Sequence, residues 1–333
     1  MRRRQKPFWQ INLKSQLKWQ LILLVPPVIT FIGLMLYISN SYISTDCACP
    51  NSALLQNEEH KQMLSAFLVV LIMTGPNFFE NRQTIRETWF SSHADGVLLR
   101  FVIGAANLPD DKIVALTTEN NEHQDLLLLT NLEDSYYALT SKLISMYEWL
   151  DRNVEYSYVL KADDDTFVQL NLLLEELKEK PLEEFYWGFF DGRAHVHYAG
   201  KWAEKEFKLC DRYIPYALGG GYVLSKDLVN FVARNSKNLK RYKAEDVALG
   251  SWIAAINVNR VHDPRFDTEY KSRGCSNEYL VTHKQSQEEM RSKHYNLQTT
   301  GKLCRTEVQT RMSYIYNWDV LPSKCCERKE GIP

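Results

Sequence analysis

The sequence predicts an α/β domain in which a mixed, mostly parallel sheet is flanked by helices. A continuous apolar run from Phe67 to Ile72, bounded by Gly75-Pro76, is typical of a strand buried on both faces of such a sheet. Strand-like and helix-like segments then alternate along the chain, as they do in β-α-β units. Asp163 to Asp165 follow an apolar strand, which places them at the carboxyl end of the sheet, where α/β proteins bind ligands.

The elements follow from local patterns in chain order. Strands are predicted at 67–72, 98–103, 125–129, 158–160 and 218–224. Helices are predicted at 81–90, 135–150, 169–178, 226–233, 246–255 and 285–294. Asp134 is the expected N-cap of the second of these helices, because its carboxylate can accept a hydrogen bond from an unpaired N–H of the first turn.

The first 64 residues predict a membrane anchor followed by a short stem. A basic segment that begins at Arg2 precedes an uncharged apolar run from Leu21 to Ile38. A helix of that length, at ~1.5 Å per residue, approaches the ~30 Å hydrocarbon core, and the basic flank keeps the N-terminus cytosolic. The alternative is a cleaved signal peptide, but the run is long and no small-x-small cleavage site follows it.

These boundaries divide the chain into four parts. The predicted parts are a cytoplasmic tail at 1–18, a transmembrane signal-anchor at 19–40, a stem at 41–64 and a luminal domain at 65–333.

Composition excludes one class of partner and predicts a redox environment. The net charge is -1, and no basic stripe of the kind that binds nucleic acid is visible. Seven cysteines in an oxidising lumen predict disulfides, but their spacing does not fix the pairing. An odd number leaves a free thiol or an intermolecular bond.

Asp163, Asp164 and Asp165 predict a cation site, because three adjacent carboxylates repel one another without one. Oxygen ligands suit Mg²⁺ or Mn²⁺. The alternative is a solvated acidic turn, which the apolar strand before the triplet makes less favourable. His283 follows a short apolar segment and is a candidate nitrogen ligand, although a single histidine is more often structural.

Two further charged pairs admit a functional and a structural interpretation. Glu245-Asp246 stands at a helix start, where carboxylates either cap the helix or act as a general base. Arg82 and Arg86 are four residues apart on one helix face, and a diphosphate is an anion that could lie between them. A solvated basic face explains that spacing equally well.

The glycine run at 219–221 lacks the Lys-Ser/Thr end of a phosphate-binding P-loop. Such a run permits close approach of the backbone to a ligand, or a β-bulge.

Taken together, the motifs resemble the β-1,3-galactosyltransferase family over about residues 66–333. The ordered motifs that carry the resemblance are Arg82-x-x-Ile85-Arg86-x-x-Trp89, Asp134-Ser-Tyr136-x-x-Leu139-Thr140-x-Lys142, Asp163-Asp-Asp165, Gly219-Gly-Gly-Tyr222 and Glu245-Asp246-Val247. Members of that family adopt the GT-A fold, so the resemblance implies this fold here.

The resemblance also implies roles for individual residues. Asp165 and His283 would bind Mn²⁺, and Asp246 would be the catalytic base, with Glu245 as the second candidate. The implied donor-side residues are Arg82, Arg86, Asp163 and Asp164. The implied acceptor-side residues are Trp187, Gly220, Gly221 and Tyr222. An ordinary carboxylate has a pKa of ~4.3 or below and would be ionised in a mildly acidic Golgi lumen.

The implied reaction is an inverting transfer of galactose from UDP-galactose, in the Golgi membrane. The C-terminal tail resembles that of a member which builds the glycosaminoglycan linkage region, and this implies galactose-β-1,4-xylose on a proteoglycan as the acceptor. The motifs that carry this resemblance are His262-Asp-Pro-Arg-Phe-Asp-Thr-Glu-Tyr270, Arg273-Gly-Cys-Ser-Asn277 and Cys325-Cys326 through Gly331-Ile-Pro333. Transfer of N-acetylglucosamine or N-acetylgalactosamine on the same scaffold is one alternative. A noncatalytic luminal chaperone is the other.

Overall fold

A computed structural model describes residues 63–91, 95–200 and 203–333. These residues lie in one compact unit, Gln62–Pro333. The predicted cytoplasmic tail, the transmembrane anchor and nearly all of the stem fall outside the described residues, so the predicted boundaries stay predictions. Across the described ranges, no helix has both the length and the apolar character that a membrane span requires.

A seven-stranded mixed sheet forms the centre of the domain and confirms the predicted sheet type. Its order is β3-β2-β1-β4-β7-β6-β8, in which β1 to β4 run parallel and β7 is antiparallel to both β4 and β6. The seven strands are β1 Leu64–Met73, β2 Val97–Gly104, β3 Leu126–Leu129, β4 Val154–Asp163, β6 Phe185–Asp191, β7 Tyr216–Ser225 and β8 Asn259–His262.

Two small sheets complete the strand inventory of the described ranges. They are formed by β5 Phe167–Val168, β9 Phe266–Asp267 and β11 Val281–Thr282, and by β10 Gly274–Cys275 with β12 Val308–Gln309.

Helices cover the sheet. They are α1 Phe79–Glu87, α2 Asp110–His123, α3 Leu139–Asn153, α4 Leu170–Leu177, α5 Lys226–Asn235, α6 Glu245–Trp252 and α7 Gln287–Thr300. Each predicted helix is present within a few residues of its predicted ends, apart from the last, which runs six residues further. The sequence interpretation missed α2, because only Leu116 and Glu119 of this helix are buried and its apolar periodicity is correspondingly weak.

The apolar run that predicted the first strand is the centre of the core. Leu68 through Ile72 of β1 are all 0% exposed, since β1 pairs with β2 on one side and β4 on the other. Burying each large aliphatic side chain stabilises the fold by about 1.5–3 kcal/mol. Strand β4 is therefore held in the middle of the sheet, with its carboxyl end at Asp163.

Asp134 does not cap the helix that follows it, so that prediction is wrong. A 3-10 turn at Tyr136–Ala138 precedes α3, and the N-cap residue of α3 is Ala138. The Asp134 carboxylate instead accepts the Gly104 N–H at 3.0 Å and is paired with Lys142 at 2.6 Å. It thereby joins the end of β2 to α3, at the same sheet edge as the aspartate triplet.

The predicted disulfides are present, and they lie in the C-terminal quarter of the chain. Cys275 is bonded to Cys304, and Cys325 is bonded to the adjacent Cys326. Among the described residues, Cys210 is free and exposed.

Candidate active site

Asp163, Asp165 and His283 come together although His283 is distant in sequence. Asp163 ends β4, and His283 directly follows β11, which pairs with β5 next to the triplet. His283 Nε2 lies 2.9 Å from Asp165 Oδ1 and 3.3 Å from Asp163 Oδ2. One ligand atom from each of the three side chains lies within 4.8 Å of the others.

This cluster fits a divalent cation. Two carboxylates and an imidazole are ligands that Mn²⁺ accepts. Burial alone would lower the pKa of His283, but hydrogen bonds and charge from Asp163 and Asp165 outweigh it and raise the pKa to about 9. The proton on His283 thus supplies the positive charge between the carboxylates, and a cation would replace that proton. The structure includes Asp163 in the cluster, whereas the family resemblance implied a donor-side role for this residue.

Asp164 turns away from the cluster and towards the end of β1. Its Oδ2 accepts the Thr74 hydroxyl at 2.6 Å. Burial raises the pKa of Asp164, and the negative charges of Asp165 and Asp163 raise it further, against its hydrogen bonds from Thr74 and Asn81. This position separates Asp164 from the direct ligands, and its predicted contact with a donor stays a prediction.

Lys161 links the cation cluster to the acidic pair, and the sequence interpretation missed it. Its fully buried ammonium group donates to Asp163 at 2.8 Å, to Glu245 at 2.8 Å and to the Gly219 carbonyl at 2.6 Å. Burial opposes the charge, but Asp163 and Glu245 raise the pKa of Lys161 well above its usual range. A single lysine inside an otherwise apolar strand was the available sequence indication, since unpaired lysines are almost never fully buried.

The two carboxylates of the acidic pair have different environments. Glu245 is 8% exposed, and Oε1 accepts the hydrogen bond from Lys161. Asp246 is partly exposed and accepts backbone N–H groups from Gly219 at 2.9 Å and Val247 at 2.8 Å. Glu245 is therefore committed to an internal ion pair, while Asp246 retains access to solvent.

The pKa of Asp246 is not that of an ordinary carboxylate, which corrects the expectation from its reference value. Burial, followed by the negative charge of Glu245, raises the pKa of Asp246 to about 7. A group with that pKa is a stronger base than an ordinary carboxylate and is half ionised near neutral pH.

Neighbouring side chains fill the space next to the glycine run at 219–221, so a Cβ at any of the three glycines would collide with one of them. A Cβ at Gly219 would lie 2.6 Å from Glu245 Oε1, and one at Gly221 would lie 2.7 Å from Val281 Cγ1. A Cβ at Gly220 would lie 2.3 Å from His283 Nδ1. The close approach predicted from these glycines is thus an approach to the protein's own side chains.

We expect Gly220→Ala to weaken Mn²⁺ binding by about tenfold or more, because the added methyl group would displace the His283 ring from the carboxylates. Calorimetric titration with Mn²⁺ measures the change. Gly188→Ala of β6 is the control, since a Cβ there would meet the Cβ atoms of Ala217 and Tyr222, at 3.0 and 3.1 Å, and not His283. An affinity equal to that of the wild-type protein would contradict the assigned role of His283.

Trp187 and Tyr222, two of the predicted acceptor-side residues, are core residues in the structure. Both are 0% exposed. Trp187 donates its indole N–H to Asp263 at 3.0 Å and packs against Phe266 at a ring distance of 5.0 Å. Burial prevents either ring from contacting an acceptor directly, so any effect on the acceptor would pass through neighbouring residues.

Arg82 and Arg86 do lie side by side, and the anion between them is part of the chain. Glu119 of α2 accepts two hydrogen bonds from Arg82, at 2.8 and 2.7 Å, and one from Arg86 at 2.7 Å. Arg86 also binds Asp125 at 2.8 Å, and Arg82 donates to the Gly75 carbonyl at 2.7 Å. The repulsion between the arginines is thus relieved internally, and their predicted contact with a donor diphosphate stays a prediction.

We expect Glu119→Gln to lower the free energy of unfolding by about 3–5 kcal/mol, because it removes the carboxylate shared by two guanidinium groups. The side chains of Arg82 and Glu119 are 1% and 4% exposed, so water cannot replace the lost partner. Urea denaturation measures the change, with Glu122→Gln on the exposed side of the same helix as control. A midpoint unchanged from that of the wild-type protein would contradict this account.

Comparisons with known proteins place these features in a wider group. Residues 80–264 match the family model described as Galactosyltransferase. The chain is 49% identical over 275 residues to the Mus musculus protein "Beta-1,3-galactosyltransferase 6", covering 80% of this chain and 85% of that protein. It is 34% identical over 200 residues to the Mus musculus protein "UDP-GalNAc:beta-1,3-N-acetylgalactosaminyltransferase 2", covering 59% of this chain and 39% of the relative.

Solved structures give a more distant match. The apo structure of the WbbM bifunctional glycosyltransferase aligns with a TM-score of 0.36 and 14% identity, covering 60% of this chain and 39% of that one. A likeness at this score carries no argument about the chain.

Proposed function

The chain belongs to the galactosyltransferase family and is a hexosyltransferase, and from that premise we propose that it moves galactose from UDP-galactose to the 3-hydroxyl of a terminal β-galactose. One observation carries the proposal. A cluster suited to a divalent cation and the partly exposed carboxylate of Asp246 lie at one edge of the sheet, joined through Lys161. We assign the fold to the GT-A type on the motifs that resemble that family.

The chemistry proceeds by one displacement. Asp246 removes the proton from the acceptor hydroxyl, and the oxygen attacks the anomeric carbon from the face opposite the diphosphate. A single in-line attack converts an α-linked donor sugar into a β-linked product, so no covalent intermediate with the protein is needed. Mn²⁺, held by Asp163, Asp165 and His283, would neutralise charge on the departing diphosphate. Lys161 keeps Asp163 and Glu245 in fixed positions.

We further propose galactose-β-1,4-xylose on proteoglycan serines as the acceptor, and the Golgi membrane as the location. The acceptor is supported by the resemblance of the C-terminal tail described above. The location is supported by the uncharged run from Leu21 to Ile38 behind a basic flank.

N-acetylgalactosamine is a second candidate for the transferred sugar, because one relative carries that donor in its name. The deciding experiment supplies UDP-galactose, UDP-N-acetylgalactosamine and UDP-N-acetylglucosamine separately to the purified chain with a galactosyl-β-1,4-xyloside. We expect transfer from UDP-galactose alone, with a β-1,3 linkage in the NMR spectrum of the product. A preference for an N-acetylated donor would overturn the galactose assignment.

A further inference from the structure

Tyr316 and Trp318 form an aromatic pair that the proposed reaction does not use. Their rings stack with centroids 3.8 Å apart and planes 23° apart. Tyr316 is 4% exposed, whereas Trp318 is 43% exposed. The edge of Trp318 also packs against Phe190 at a ring distance of 5.4 Å. Trp318 is therefore a rigid, partly exposed, flat apolar surface that is supported from behind.

Phe190 brings this pair close to the proposed base. On β7, the Gly219 N–H binds Asp246, and Ala217, two residues earlier, pairs with Phe190 of β6. The register between β6 and β7 shifts between Gly188 and Phe190. With neighbouring strands ~4.8 Å apart and at most ~3.3 Å of rise for each of the two residues, Phe190 and Gly219 are separated by about 8 Å or less. Trp318 therefore packs on a residue of β6 that neighbours the part of β7 bound to Asp246.

The aromatic pair and the base also share one side of the sheet. The Tyr186 ring contacts both Phe190, at 4.7 Å, and Tyr222, at 5.6 Å. The Tyr222 hydroxyl lies 3.4 Å from the hydroxyl of Tyr147 in α3, and α3 packs against α6, which begins beside Asp246. Phe190 therefore faces the layer of helices that includes α6.

This side of Asp246 is the side from which an acceptor would approach. The cation cluster lies at the end of β4, and β7 and β6 follow β4 in the sheet order. A nucleophile that attacks opposite the diphosphate has to arrive from the side away from the cluster, over β7 and β6. The end of β6 also offers Asp191, whose partly exposed carboxylate accepts the Arg193 N–H at 2.7 Å and could accept a sugar hydroxyl as well.

The segment that presents Trp318 lies outside the range matched by the family model, 80–264. It is fixed to β6 by a hydrogen bond from the Tyr314 hydroxyl to the Phe190 carbonyl at 2.9 Å, and by one from Arg193 to the Cys326 carbonyl at 2.8 Å. Asn317 N–H donates to the Cys325 carbonyl at 2.8 Å. Trp318 is therefore held in an ordered segment beside the end of β6, and a fixed ring at that place is suited to contacting an acceptor.

We propose that Trp318 is a specificity-determining residue whose exposed ring stacks on the acceptor sugar next to the reacting galactose. This inference rests on the proposed function and names a subsite of the same site. A pentopyranose with equatorial hydroxyl groups and no hydroxymethyl group presents a flat face of C–H bonds, and such a face matches an indole ring. Xylose in the proposed acceptor has that chemistry.

The test compares two acceptors that differ only in this sugar, galactosyl-β-1,4-xyloside and a β-galactoside with the same aglycone. In Trp318→Ala of the full-length chain, we expect the advantage of the disaccharide in kcat/KM to fall about tenfold. The rate with the monosaccharide and the KM for UDP-galactose stay unchanged. Trp318→Phe retains most of the advantage, and Tyr295→Ala, which removes an exposed ring of α7, retains all of it.

Equal losses for both acceptors, or an unchanged ratio, would overturn the proposal. If the wild-type chain transfers galactose to neither acceptor, the proposed function fails. A binding measurement then tests, independently of activity, whether Trp318 contacts the sugar. Saturation-transfer NMR with the disaccharide is expected to show contact with the xylose protons in the wild-type chain and none in Trp318→Ala. Absence of that contact in the wild-type chain would overturn the subsite regardless of activity.

Discussion

We expect Asp246→Asn to lower kcat for galactosyl transfer by about 10²- to 10⁴-fold, with UDP binding preserved. The amide keeps the size of the side chain and can still accept the Gly219 N–H, but it cannot take a proton from the acceptor. Steady-state kinetics with UDP-galactose and a galactosyl-xyloside measure the loss, and calorimetry measures UDP affinity. Near-normal transfer by this variant would show that another group is the base.

The pH profile provides an independent check of the same assignment. Because Asp246 must be ionised to act, activity is full above its pKa of about 7 and falls as pH decreases through that value. The charge of Glu245 contributes to the raised pKa, so Glu245→Gln is expected to move the acidic limb of the profile to lower pH. If the acidic limb of the pH profile is the same in Glu245→Gln as in the wild-type chain, the ionisation of Asp246 does not control that limb.

We expect His283→Ala to weaken Mn²⁺ binding by at least about 100-fold and to reduce transfer to a similar extent. The variant leaves two carboxylates without the third ligand of the cluster. A chelator should stop transfer by the wild-type chain, and added Mn²⁺ should restore it. Calorimetric titration with Mn²⁺ and UDP measures affinity, and His294→Ala on α7 is the matched control.

Unchanged Mn²⁺ affinity in His283→Ala would remove this residue from the site. Equal losses in both histidine variants would indicate a general effect on folding, which thermal unfolding of the two proteins distinguishes from a local one.

Local sequence patterns predicted those features whose cause is local. The apolar run before Asp163 indicates a buried strand. Residues that directly follow such a strand lie at the carboxyl end of the sheet, so the position of the triplet was predictable. The helix start at Glu245 was predictable for the same reason, since the change in periodicity lies within a few residues of it.

Partners contributed by distant segments were not predictable in the same way. Glu119 neutralises Arg82 only because α2 packs beside α1, and the apolar pattern of α2 is too weak to reveal that helix. The pairing of Lys161 with Glu245 depends on the approach of α6 to β4 and β7. Trp187 was expected at the acceptor side, yet it lies on β6 between two neighbouring strands and is 0% exposed, whereas Trp318 is 43% exposed.

The distance along the chain between Asp163 and His283 has a consequence for biosynthesis. The ribosome adds His283 120 residues after Asp163, which takes roughly 6–24 s at 5–20 residues per second. During that interval the growing chain can form β1 to β4 but cannot complete the cation cluster. A transcript that stops between residues 264 and 283 would encode the whole range matched by the family model, and its product would still lack a ligand. A growing chain can therefore bind the cation through all three ligands only after synthesis has reached the C-terminal quarter of the protein.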